Sequence, residues 1–116
     1  GDRITDCVVN FNGVPGIIVW DRCVVENNTI NDNGFRGDRV AGIYVQADYN
    51  RIQNNQIAQN YYGVRFAAGS ETNFVFGNTL IQNSNNISGS LVGNHIGPLD
   101  SAIGTPTNHP WANFVF

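Results

Sequence analysis

A chain of 116 residues and 12.7 kDa suits one domain, large enough to bury a core and too small for a second lobe. Six basic residues against nine acidic ones, a net charge of -3 and a pI near 5.0 leave no electrostatic footprint for a phosphate backbone, so no nucleic-acid partner is expected. Only 13% of residues are charged, so amides and backbone must supply the polar surface; 41% are apolar, against disorder, and no run nears the roughly 20 apolar residues of a membrane span.

Taken in chain order, the first element is Ile4, Cys7, Val9, Asn12, with the form apolar-x-x-Asn-x-apolar-x-x-Asn and a cysteine in the first asparagine slot. Gly16-Ile17-Ile18-Val19 follows, a turn glycine leading into the inside-outside-inside alternation of a short half-buried strand. The pair then recurs as Val25, Asn28, Ile30, Asn33 with Gly42-Ile43-Tyr44-Val45, and as Ile52, Asn55, Ile57, Asn60 with Gly63-Val64-Arg65-Phe66. Val75, Asn78, Leu80, Asn83 with the weaker Asn86-Ile87-Ser88-Gly89 make a fourth copy, and Leu91, Asn94, Ile96 a partial fifth. The first apolar positions stand 21, 27, 23 and 16 residues apart, and the extra length falls at 34–41 and 67–73. Variable loops on a fixed frame are what a solenoid permits.

No segment carries apolar residues at helical spacing over three turns, and β-branched residues dominate the apolar slots, so the chain is all-β. An antiparallel sandwich gives no reason for asparagine at one phase of every repeat. A parallel solenoid does: asparagine tolerates the left-handed backbone of a sharp corner, and coils stacked about 4.8 Å apart let the amides hydrogen-bond along the axis. Asn28, Asn55, Asn78 and Asn94 are the expected ladder.

VENNTINDN, IQNNQIAQN and VFGNTLIQN, with GIIV, GIYV and GVRF, make residues 4–97 resemble the right-handed parallel β-helix repeat proteins of the pectin-lyase-like superfamily. The resemblance implies a right-handed parallel β-helix of about five coils over residues 1–97, with 98–116 as an irregular C-terminal cap. The family holds polysaccharide lyases, glycoside hydrolases, uronate epimerases, phage tailspikes and noncatalytic modules. Its enzymes usually carry the active site on the outer face of one parallel sheet.

On the glycine-led strands the outward columns are Ile18, Tyr44, Arg65 and Trp20, Gln46, Ala67, and neither holds a carboxylate. The nearest catalytic alternatives are Asp21 with Arg22, Asp48 and Arg65, since glycoside hydrolysis needs two carboxyl groups and β-elimination a base with a cation. Asp38, with Arg36 and Arg39, marks the 34–41 insertion as either a ligand loop or a solvated excursion. His95 and His109 are too isolated for a metal site, so no metal or cofactor is expected, and Cys7 and Cys23 read as small packed residues rather than a bridge. Ile18, Trp20, Tyr44, Tyr61 and Tyr62, with Tyr49 and Phe35 nearby, form an exposed flank for subunit contact or sugar stacking. The tail adds Trp111, Phe114 and Phe116 to this set and stops the asparagine pattern after Ile96.

Together these features predict a noncatalytic module that folds, caps and oligomerises a carbohydrate-directed protein, a trimer being the form considered. The setting expected is extracellular or virion-associated. The alternative is a lyase or glycoside hydrolase acting through the outer face.

Overall fold

The computed structural model describes residues 1–36, 40–101 and 109–116, which form three parallel sheets and no helix. Residues 37 and 39 and the Asp38 carboxylate of the insertion lie outside the described residues. With strands numbered along the chain, the first sheet contains β1 (Arg3–Thr5), β4 (Val24–Glu26), β7 (Arg51–Gln53), β10 (Phe74–Phe76) and β13 (His95–Ile96). The second contains β2 (Val8–Asn10), β5 (Thr29–Asn31), β8 (Gln56–Ala58), β11 (Thr79–Ile81), β14 (Leu99–Ser101) and β15 (Asn113–Val115). The third contains β3 (Ile17–Val19), β6 (Ala41–Val45), β9 (Tyr62–Phe66) and β12 (Asn85–Gly89). Each coil passes once through all three sheets, giving four complete turns and part of a fifth, a parallel β-solenoid.

Register stacks like on like. Ile4, Val25, Ile52, Val75 and Ile96 form one inward column, Val9, Ile30, Ile57, Leu80 and Val115 a second, and Ile17, Ile43, Val64 and Ile87 a third. The middle members are fully buried, and each such side chain contributes roughly 1.5–3 kcal/mol of transfer free energy.

Corners follow one rule. At the turn from first to second sheet, Asp6, Asn27, Asn54 and Gly77 take positive φ, and the ladder residue is the next one, Cys7, Asn28, Asn55 or Asn78. The other corners repeat this with Phe11, Asp32, Gln59, Gln82 before Asn12, Asn33, Asn60, Asn83, and Arg22, Tyr49, Thr72, Gly93 before Cys23, Asn50, Asn73, Asn94. The left-handed residue is therefore not the ladder asparagine, as the sequence suggested, but its predecessor. One residue makes the bend, and the next then turns its amide inward to receive the neighbouring coil.

Three ladders result instead of one. The Asn28 amide groups meet Asn55 Oδ1 at 3.0 Å, those of Asn55 meet Asn78 Oδ1 at 3.0 Å, and Asn78 reaches Asn113 Oδ1 at 3.0 Å through its side chain. Asn94 does not join this column; it receives the Asn73 amides, in a ladder that runs through Cys23 and Asn50. A third runs through Asn12, Asn33, Asn60 and Asn83. Both cysteines are free; Cys7 opens its column and Cys23 follows Asp2 in another, and each donates its backbone amide to the asparagine of the next coil. The third ladder also explains the glycine-led strands: a Cβ on Gly42 would lie 2.9 Å from Asn60 Nδ2.

The described part of the tail lies on the last complete coil as added strands. Asn113-Phe114-Val115 pairs in parallel with β11 as a further strand of the second sheet, while β14, which follows β13 in the chain, is displaced outward onto β15. Continuing the β10–β13 register, Pro98 stands level with the left-handed corner residue Gly77, and its ring fixes a negative φ that cannot make that bend. Asn113 takes the slot, donating its side chain to the Val75 and Gly97 carbonyls.

Candidate functional site

Asp21 and Asp48 occupy the turn from third to first sheet, and their carboxylates are engaged by the main chain. The Asp48 amide donates to Asp21 Oδ1 at 3.1 Å, and the Glu71 amide donates to Asp48 Oδ1 at 2.7 Å. Arg65 belongs to another place: its register partner is Tyr44, four residues before Asp48 in the chain, and its guanidinium lies 4.9 Å from the Tyr62 ring centroid and 6.0 Å from that of Tyr44. The two aspartates share a column at the turn, and the arginine stands on the face of the third sheet.

The aromatic flank divides as well. Ile18, Trp20, Tyr44 and Tyr62 belong to the third sheet and its edge, with Trp20 65% exposed. Tyr61 lines a groove at the corner between second and third sheets with Phe35. Tyr49 lies at the corner between third and first sheets beneath Arg22, Phe114 and Phe116 lie at the second sheet, and Trp111 lies against the first.

Side chains of a different kind line the outer face of the first sheet. Its outward columns are Arg3, Val24, Arg51, Phe74, His95 and Thr5, Glu26, Gln53, Phe76. At one end Glu26 pairs with Arg3 and accepts the Gln53 side-chain amide at 2.7 Å. The Arg3 hydrogen bond foremost, then that of Gln53, holds the Glu26 carboxyl below its ordinary range. Toward the other end, Phe74 stacks on His95 with centroids 4.8 Å apart, Phe76 meets the Trp111 ring edge-on at 5.0 Å, and Arg51 lies 6.0 Å from the Phe76 centroid. The tail folds in beside them, with the Trp111 amide donating to His109 Nδ1 at 3.2 Å. These groups line an open cleft of about 510 Å³.

The sequence contained the signal for this face. The alternation applied to the glycine-led strands, when applied to the flanks of Ile4, Val25, Ile52, Val75 and Ile96, gives the two outward columns directly. His109 and Trp111 could not be found that way, because their position depends on the tail strand. Among the described residues no three His, Cys, Asp or Glu side chains converge as metal ligands.

A protein-family model described as periplasmic copper-binding protein (NosD) matches residues 1–95. The chain belongs to the NosD family. The match spans the four complete coils, so the family relation and the β-helix rest on the same residues, as the resemblance to pectin-lyase-like β-helix proteins led one to expect. No curated protein and no solved structure matches the chain.

Proposed function

We propose that the chain is a noncatalytic β-helix module of an exported, carbohydrate-directed protein, and that it holds saccharide in the cleft on the first sheet. The observation that carries this is the lining itself: Phe74, Phe76 and Trp111 offer aromatic faces, Arg51, His95 and His109 offer polar groups, and none of the described lining residues is a carboxylate. The apolar face of a pyranose packs on an aromatic ring, while its hydroxyls need a few well-placed polar partners. Hydrolysis would require two carboxyl groups across the sugar, which this lining lacks. The family's description as periplasmic supports an exported setting; nothing in it supports a virion.

That description also names copper. Copper favours thiolate, thioether and imidazole donors. This chain has no methionine; the Cys7 thiol is directed to the Thr5 carbonyl, and the Cys23 thiol, in a different ladder, to the Asp21 carbonyl. Its two imidazoles line the cleft, and among the described residues no third His, Cys, Asp or Glu converges with them. The donor set does not fit a resident copper ion, and copper has no part in the proposal.

The test is a titration with a panel of oligosaccharides, followed by tryptophan fluorescence and by assay for reducing ends and unsaturated products. A saccharide is expected to change the emission of wild type and to leave that of Trp111→Phe unaltered, with no product formed. Product formation abolished by Asp48→Asn or Arg65→Ala would establish the enzymatic alternative instead. A second role has its own support: Ile18 and Trp20, 42% and 65% exposed on one edge of the third sheet, suit contact between copies of the chain.

A further inference from the structure

The second sheet is built out of chain order at one place. β14 follows β13 in the chain, yet β15 is the strand that pairs with β11, and β14 lies outside it with Leu99 opposite Asn113 and Ser101 opposite Val115. Because Pro98 cannot repeat the left-handed bend of Gly77, Leu99–Ser101 does not turn onto β11, and the frame keeps a gap one strand wide between the two. We infer that this gap is a strand-acceptor site for an extended peptide of the form Asn-x-aliphatic, and that it takes the tail of a second copy of this chain as well as its own.

The gap recognises its strand through fixed groups. The main-chain and side-chain amides of Asn78 donate to Asn113 Oδ1 at 3.1 and 3.0 Å, and the Asn113 side chain donates to the Val75 and Gly97 carbonyls at 3.1 and 3.0 Å. An aspartate there would set a second acceptor against those carbonyls, so the site selects the amide. Main-chain pairing fixes the register: the Gly77 and Gln82 amides donate to the Ala112 and Phe116 carbonyls, and the Phe114 and Phe116 amides donate to those of Asn78 and Leu80. Asn113 is fully buried, and Val115 extends the inward column of Val9, Ile30, Ile57 and Leu80.

All of these partners lie in residues 75–97, so they meet the same atoms whichever copy supplies the strand. Cis and trans filling differ only in the tether. Residues 102–112, which join β14 to β15, span at most roughly 40 Å when extended, against molecular widths of 28 and 25 Å, so a tail is long enough to reach an adjoining copy. A chain's own tail has an effective concentration on the order of millimolar, so exchange needs copies crowded to that level or two tails that cross reciprocally. The tail also carries Trp111, which meets Phe76 edge-on at 5.0 Å, and His109 into the cleft on the first sheet. In an exchanged pair each cleft is therefore built from one copy's sheet and the other copy's tail, whether or not it holds saccharide.

Disulfide trapping in full chains carrying Cys7→Ser tests this. Thr79 and Phe114 are register partners on neighbouring strands, close enough for cysteines at both places to join. Thr79→Cys and Phe114→Cys in one chain are expected to close within the monomer. The two single variants, unfolded in urea and refolded together at concentrations up to millimolar, are expected to give a mixed disulfide dimer whose yield rises with concentration. That yield is expected to fall at least about tenfold when Gln56→Cys, one coil too far, replaces Thr79→Cys, and equally when the Phe114→Cys chain also carries Asn113→Asp. Thermal melts show whether each variant is folded. Absence of the mixed dimer while the doubly substituted chain closes would confine the gap to its own tail and overturn exchange. Equal yield with Gln56→Cys would reduce the link to collision and overturn it too, and a doubly substituted chain that fails to close would overturn the strand site itself.

Discussion

Asn55 shows what one residue does in this fold. Its side chain donates to Asn78 Oδ1 at 3.0 Å and to the Val25 carbonyl at 2.9 Å, while its own Oδ1 receives both Asn28 amides, all with 1% of the residue exposed. Asn55→Ala leaves those partners in a dry interior, where each orphaned group costs about 1–3 kcal/mol, so a loss of roughly 3 kcal/mol is expected in urea unfolding. Asn12→Ala, at the part-exposed start of its ladder, should cost well under half of that. Glu26 responds to acid instead. Its folded pKa lies below its unfolded one, so its contribution is present at neutral pH and is lost as pH falls through the folded value. Wild type should lose stability there more steeply than Glu26→Gln, and the difference should shrink in high salt because Arg3 is mostly solvent-exposed. The spacing of the asparagines disclosed the ladders, but not which residue of each corner bends. Phe11, Tyr49 and Thr72 take the left-handed role although their side chains give no hint of it, because the stacked amide that follows forces the turn.

At the scale of the strand, the tail shows where the pattern became ambiguous. An asparagine two residues before an inward apolar residue occurs ahead of both the first and second sheets, as Asn73-x-Val75 and Asn78-x-Leu80. One isolated copy, Asn94-x-Ile96, therefore fits either position, and only pairing with β10 assigns it to the first sheet. Asn113-x-Val115 is the same motif, hidden by a proline-rich approach that lacks the rest of the repeat. Since Ala112, Asn113 and Phe116 of the tail receive the Gly77, Asn78 and Gln82 amides, removing residues 109–116 should speed their hydrogen exchange. The Gln56 and Arg51 amides, bonded to Asn28 and Cys23 carbonyls, should stay protected. Equal loss of protection in both groups would mean that β15 supports the whole stack rather than its last coil.

For the whole molecule, stacking like on like gives each surface a chemistry of its own. The first sheet carries the aromatic cleft with Arg51, the corner between second and third sheets a groove with Phe35 and Tyr61, and the third sheet Ile18 and Trp20. Trp20 and Ile18 are in contact with solvent at one edge, where a large aromatic residue with an aliphatic neighbour is the usual centre of a protein contact. If copies meet there, analytical ultracentrifugation should find the chain heavier than its 12.7 kDa monomer, and Trp20→Glu should return it to the monomer by burying a charge in the contact. Any oligosaccharide binding in the proposed cleft should survive that change, because the cleft draws on other residues. A wild type that sediments as a monomer at all accessible concentrations would confine the third sheet to a structural part and leave the proposed saccharide cleft untouched. A Trp20→Glu variant that remains an oligomer would instead move the contact to another face, with Phe114 and Phe116 on the second sheet the next apolar pair to change.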